Sequence, residues 1–360
     1  MKDEKGRQVD AKITADMYYN ASQLFSYNAI ISMALGERGN GKTTQGLLLA
    51  LSKFRKGYCS LYVRRGRKEL DKVKGTIFKG ILNIDKYKNL ELEQKGDWWY
   101  LEGEPFVYCM SLSESSSFKS AQFPNFDLII FDEYIITKTR YNHYLQNEMI
   151  LLLDLLSTVF RERKKNLYIA SNSVSYANPL FEFFDIRPKK GDRFIKKWID
   201  QPWGRDYTVV VELTDTKEYQ QAIKNSTYAK MLEGTAYYNY AISNEVLEDN
   251  DTFVIGKKPS NYNHCIFNVK IEGHIYGIWR DGVDTSTYVV SEKYDNTKEF
   301  NFNYGVYKTD IDKRFFDIKY FNNSPRLKNF ARAFFNNRVL YESISIKQRI
   351  YNQLVLFIKP

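Results

Sequence analysis

Cysteine, histidine and proline are scarce in this chain of 360 residues, with three, three and eight copies respectively. Cys59, Cys109 and Cys265 are far apart and odd in number, so no disulfide framework is expected and a reducing cytosol fits. His143, His264 and His274 have no spacing suited to zinc. His264 beside Cys265 reads as a strand neighbour rather than a metal pair. No apolar run reaches the ~20 residues that span a bilayer. The N-terminal Met1-Lys-Asp-Glu-Lys-Gly-Arg7 lacks the apolar core of a signal peptide. Internal repeats and low-complexity tracts are missing as well. These absences argue against a disulfide scaffold, a zinc enzyme and a membrane partner.

Positive charge and aromatic side chains, by contrast, are abundant. The formal net charge is +10 and aromatic residues make up 16% of the chain. An excess of this size points to an acidic partner, nucleic acid first, or to a solubilising surface. The length calls for two domains.

The most specific stretch is Gly36-Glu37-Arg38-Gly39-Asn40-Gly41-Lys42-Thr43-Thr44. It fits the phosphate-loop pattern G-x-x-x-x-G-K-[ST]. The apolar run Ala29–Leu35 predicts a buried strand before it, and Gln45–Leu51 predicts a helix after it. Glycines let the backbone curl round a phosphate, and the helix N-terminus faces the anion. Lys42 is placed to reach the β- and γ-phosphates of ATP, and the Thr43 hydroxyl to ligate Mg²⁺. A second motif, Phe126-Asp-Leu-Ile-Ile-Phe-Asp132-Glu133, reads as a strand buried on both faces and closed by two carboxylates. In phosphate-loop ATPases this arrangement assigns Asp132 to Mg²⁺ and Glu133 to the attacking water.

Other stretches carry two readings each. Cys59–Val63 predicts a strand ending in Arg64-Arg65-Gly66-Arg67-Lys68, on the ligand side of an α/β sheet. Arg64 or Arg65 could sense phosphate. Arg67, Lys68, Lys72 and Lys74 could touch a DNA backbone or form a solvated face. Tyr18 and Tyr19, just before the loop, could stack on a base but suit ordinary packing better. Asn172, ending the strand Leu167–Ala170, is either a γ-phosphate sensor or a cap. Arg161 and Arg163, ending the apolar helix 145–160, are either a finger lent to a neighbouring subunit or partners of the helix dipole. Trp98–Leu101 and Phe106–Met110 predict a hairpin, 111–122 a loop, and Trp203–Leu213 the last strand of the sheet. The expected division is an ATPase domain over 1–213, a helical connector over 214–245 and an α+β domain over 246–360. In that last domain short strands include Phe253–Ile255, helices follow at Pro325–Asn337 and Ile344–Phe357, and Asp281, Asp284, Asp310 and Asp312 read as scattered surface acids.

Taken together, the phosphate loop, Leu61–Arg65, Phe131-Asp132-Glu133 and the basic helix end resemble the DNA encapsidation proteins, the packaging ATPases of phi29-like podoviruses. The resemblance implies an α/β phosphate-loop NTPase with a mainly parallel sheet, followed by a smaller domain like an RNase H-type nuclease that has lost activity. It implies an ATP- and Mg²⁺-dependent translocase of double-stranded DNA, with Arg161 as the trans-acting arginine and Arg163 as the nearby alternative. It further implies a homo-oligomeric ring, a pentamer when assembled, docked transiently on the portal of the procapsid in the host cytoplasm and absent from the mature virion. A structural packaging RNA is left open. Two rival readings stand beside it. One is a terminase-like enzyme whose second domain is an active metal-dependent nuclease. The other is a nucleotide switch without motor action.

Overall fold

The computed structural model describes residues 14–119, 121–136, 144–145, 147–172, 178–188, 192–235, 238, 253–271, 274–298, 301–304, 315–317, 325–343, 346–347 and 349–350. The chain divides into two units, Met1–Glu248 and Asp249–Pro360.

The first unit is built on a nine-stranded sheet in the order β3-β4-β5-β2-β6-β7-β1-β9-β8. Its strands are β1 (Ile31–Gly36), β2 (Cys59–Arg64), β3 (Leu92–Lys95), β4 (Trp98–Leu101), β5 (Glu104–Ser111), β6 (Phe126–Asp132), β7 (Leu167–Asn172), β8 (Phe194–Gln201) and β9 (Gly204–Leu213). Strands β5, β2, β6, β7, β1 and β9 pair in parallel. The flanking hairpins β3–β4–β5 and β8–β9 are antiparallel. The helices are α1 (Ser22–Ser26), α2 (Lys42–Phe54), α3 (Arg67–Val73), α4 (Lys79–Leu82), α5 (Glu148–Phe160), α6 (Pro179–Phe183), α7 (Lys217–Lys224) and α8 (Thr227–Leu232).

The central strands are apolar throughout because both faces are covered. Leu61, Val63, Ile129 and Phe131 turn one way, into a core shared with Leu152, Leu156 and Phe160 of α5. Their neighbours Tyr62, Leu128 and Ile130 turn the other way, onto Leu47, Ala50 and Leu51 of α2. This is the two-residue alternation of a strand applied to a doubly covered sheet. Because β7 lies between β6 and β1, the ends of β1 and β6 leave a crevice at the carboxyl edge of the sheet, where α/β proteins bind ligands.

Two sequence expectations change. The strand expected at Trp203–Leu213 forms as β9, but it is not the sheet edge, because β8, which precedes it in the chain, pairs beyond it. The β8 sequence, with Lys196, Lys197 and Asp200, has no buried run, since an edge strand needs none. Within the stretch read as a loop, Leu112–Phe118 forms a 3₁₀ helix pinned by buried Leu112 and Ser115.

In the second unit a six-stranded sheet runs in the order β14-β13-β10-β11-β12-β15. The strands are β10 (His264–Ile271), β11 (His274–Arg280), β12 (Tyr288–Ser291), β13 (Asn301–Tyr304), β14 (Phe315–Asp317) and β15 (Val339–Tyr341). The β10–β11–β12 meander is antiparallel; β13 joins β10, and β15 joins β12, in parallel. Helix α9 (Pro325–Phe335) packs Leu327, Phe330 and Phe334 on this sheet. Phe253–Ile255 makes only an isolated bridge, Val254 to Tyr341. Residues 351–357 of the expected final helix lie outside the described residues.

Candidate functional site

The phosphate loop crosses from β1 to α2 at the carboxyl edge of the sheet. Gly41 precedes the helix with φ of +96°, a conformation that suits glycine, and this N-terminus has no side-chain cap. Gly36 is required by contact: a Cβ there would lie 1.6 Å from Thr214 Oγ1, at the end of β9. Asn40 is fully buried and donates from Nδ2 to the same hydroxyl at 3.0 Å. Lys42 Nζ donates to the Gly36 and Glu37 carbonyls and, at 2.9 Å, to Asn40 Oδ1. Burial pushes its ammonium down to about 8, still cationic at neutral pH. Burial also raises the Glu37 carboxyl. Arg38 and Gly39 are exposed on the rim, and Thr44 is half-buried on α2.

The two carboxylates meet this loop from β6. Thr43 Oγ1 donates to Asp132 Oδ1 at 2.7 Å. A hydroxyl and a carboxylate this close form the hard-oxygen donor set that suits Mg²⁺. Asp132 also accepts from the Tyr62 hydroxyl at 2.7 Å and from Arg64 Nη2 at 2.8 Å. Arg64 Nη1 reaches Glu133 at 2.5 Å, so one guanidinium spans both carboxylates. Glu133 has φ of +55°, a strained position for a residue with a side chain, which swings its carboxylate outward. That side chain is 56% exposed, against 6% for Asp132. Asn172 stands in register with Gly36 on the neighbouring strand.

The remaining candidates separate. Arg65 is buried and forms a fork with Glu148, well away from solvent. Arg67 binds Asp97 through both terminal nitrogens at 2.9 and 2.8 Å, and Lys74 joins it at 2.6 Å. Lys68 and Lys72 are exposed, and no ion pair to either occurs among the described residues. Arg163 donates to the Phe126, Phe123 and Val159 carbonyls of its own chain. Arg161 is exposed. Tyr19 is buried with its hydroxyl on Glu212, whereas Tyr18 is 41% exposed beside Gly41. Among the described residues no three His, Cys, Asp or Glu groups gather to hold a metal. In the second unit Asp281 is occupied by Asn261 and the Val283 and Asp284 amides, and Asp310 and Asp312 lie outside the described residues.

Sequence reasoning missed Tyr62, Glu148 and Thr214. Tyr62 had a usable signal, since it sits two residues before Arg64 and therefore on the same strand face. Glu148 had none, because its partner Arg65 is 83 positions away.

The DNA packaging protein of Bacillus phage PZA is 29% identical over 337 residues, covering 93% of this chain and 96% of its own length. That of Bacillus phage phi29 is 28% identical with the same coverage. The solved phi29 viral genome packaging motor assembly superposes with a TM-score of 0.67 and 26% identity, over 95% of this chain and all of that one. The family model of the podovirus DNA encapsidation protein (Gp16) matches residues 13–357, and the chain belongs to that family.

Proposed function

We propose that the chain is an ATP-driven motor that moves double-stranded DNA through the portal into an empty viral head. The observation that carries this is the Thr43–Asp132–Arg64–Glu133 cluster at a phosphate loop, in a chain whose relatives are DNA packaging proteins. Loop amides and Lys42 would hold the phosphates of ATP; Thr43 and Asp132 would hold Mg²⁺, which when bound neutralises charge on the transferring phosphoryl group. Glu133 orients the attacking water, and to do so it must part from Arg64. Asn172, level with Gly36, is placed to report the γ-phosphate. Tyr18, exposed beside Gly41, is an aromatic available to the base.

Arg161 supports a subunit-bridging role better than Arg163 does, because Arg163 is spent on three carbonyls of its own chain. An arginine lent to a neighbour implies a homo-oligomeric ring. By family resemblance the ring has five members, sits on the portal in the host cytoplasm and leaves before the virion matures. The positive charge of the chain suits DNA and also a structural RNA in that ring. The nuclease alternative is not favoured, since the relatives that the chain matches over nearly its whole length are DNA packaging proteins.

ATP turnover with and without duplex DNA is the test. Wild-type turnover should rise with DNA, and Glu133→Gln should lose at least ~100-fold while still binding ATP. Turnover that ignores DNA and survives Glu133→Gln would overturn both assignments.

A further inference from the structure

One buried contact joins the catalytic strand end to the far helix. Arg65 follows β2. Its Nε and Nη2 form a fork with the two oxygens of Glu148 at 2.6 and 2.8 Å, and the same Nη2 donates to the Tyr134 carbonyl at 2.5 Å. The two side chains are 3% and 0% exposed. Tyr134 is the residue after Glu133. Glu148 is the first residue of α5, where it also accepts from the Leu145 amide at 2.9 Å. The guanidinium is covered by the rings of Phe131, Tyr134 and Tyr144.

Helix α5 then runs 13 residues, packed by Leu152, Leu155, Leu156, Val159 and Phe160, to its other end. There Arg163 ties the chain to the start of β6 through the Phe126 carbonyl. Between these two anchors, at the end of α5, stands Arg161, with φ of +47° and ψ of −119°. Such a backbone persists only where its surroundings over-determine it. Arg161 is therefore held on a strut fixed at both ends.

We propose that Arg65 and Glu148 are positioning residues for the arginine a subunit lends to its neighbour. They tie Arg161 to the strand end bearing the subunit's own Asp132 and Glu133. A fork between buried charges transmits position because neither partner can shift without leaving the other unpaired. The position of Arg161 in the next site then depends on the state of the lender's own strand end. This rests on the reading of Arg161 as trans-acting.

The experiment uses mixtures of full-length chains and reads ATP turnover with duplex DNA. An Arg161→Ala chain keeps its own site but lends no arginine. A Glu133→Gln chain lends an arginine but cannot turn over. Mixing the two should restore turnover, and failure to do so would remove the trans-acting reading and this proposal with it. Given that rescue, a Glu133→Gln/Glu148→Gln chain should rescue at least fivefold less well. A Glu148→Gln chain should still accept: in excess Glu133→Gln chain its turnover should stay within about twofold of wild type treated likewise. Loss of lending with retention of accepting is the signature, because general destabilisation lowers both. Glu148→Asp, which keeps the charge, should restore part of the lending and serves if Glu148→Gln folds poorly. Equal rescue by the single and double variants, or equal loss of both roles in Glu148→Asp, would overturn the proposal.

Discussion

Glu212 is a carboxylate that the fold buries at the end of β9, where it accepts from the Tyr19 hydroxyl at 2.6 Å and from Arg193 at 3.3 Å. Burial outweighs both bonds and raises its carboxyl above the ordinary carboxylate range. The sign of the pH effect follows. Below about 4.5 the group is protonated folded and unfolded, and it costs nothing. As pH rises through the higher folded-state value, the unfolded chain releases the proton first and stability is lost. Glu212→Gln keeps an acceptor for Tyr19 without the charge. The melting temperature of this variant relative to wild type should be higher at pH 8 than at pH 4.5. An equal difference at both pH values would show that the buried charge carries no cost. At this scale the sequence was readable where chemistry is local. The phosphate loop and Asp132-Glu133 announce themselves within a few positions each. The ion pairs that decide which arginine is occupied, Arg65 with Glu148 and Arg67 with Asp97, span 83 and 30 positions and leave no local trace.

The ends of β1 and β9 are fitted together at one atom. An added Cβ on Gly36 would meet Thr214 Oγ1 at 1.6 Å and Thr214 Cβ at 3.0 Å. Gly36→Ala must push either the loop or β9, so ATP binding should weaken at least tenfold. Thr214→Ala in the same chain removes the hydroxyl and leaves only the milder contact. It should recover part of that loss, whereas Thr214→Ser, which keeps the hydroxyl, should recover none. Equal binding by Gly36→Ala/Thr214→Ala and Gly36→Ala/Thr214→Ser would mean the clash lies elsewhere. Strands buried on both faces, such as β1 and β6, and the apolar helix α5 were legible because their apolar runs admit few alternatives. Strands β3, β8 and β15 were not. Two are charged edge strands and the third is three residues long, so pairing with a neighbour makes them rather than their own pattern.

Across the whole molecule the +10 charge is a solubilising excess until some of it is placed where phosphates can reach it. The basic run after β2 separates into two sets. Arg67 and Lys74 are neutralised by Asp97 and Asp71 and hold α3 to the β4 hairpin. Lys68 and Lys72 are exposed on the same short helix with no ion pair among the described residues. A motor that grips any sequence must rely on such phosphate contacts, and each contact made, by releasing a counterion, steepens the fall of affinity with salt. In a plot of log affinity for duplex DNA against log salt, Lys68→Ala/Lys72→Ala should reduce the slope by about 2, close to 0.9 for each lost contact. Arg67→Ala/Lys74→Ala should leave that slope within about 0.5 while lowering the melting temperature, because those side chains act within the fold. The reverse pattern would place the grip on Arg67 and Lys74 and require their carboxylate partners to let go when DNA arrives.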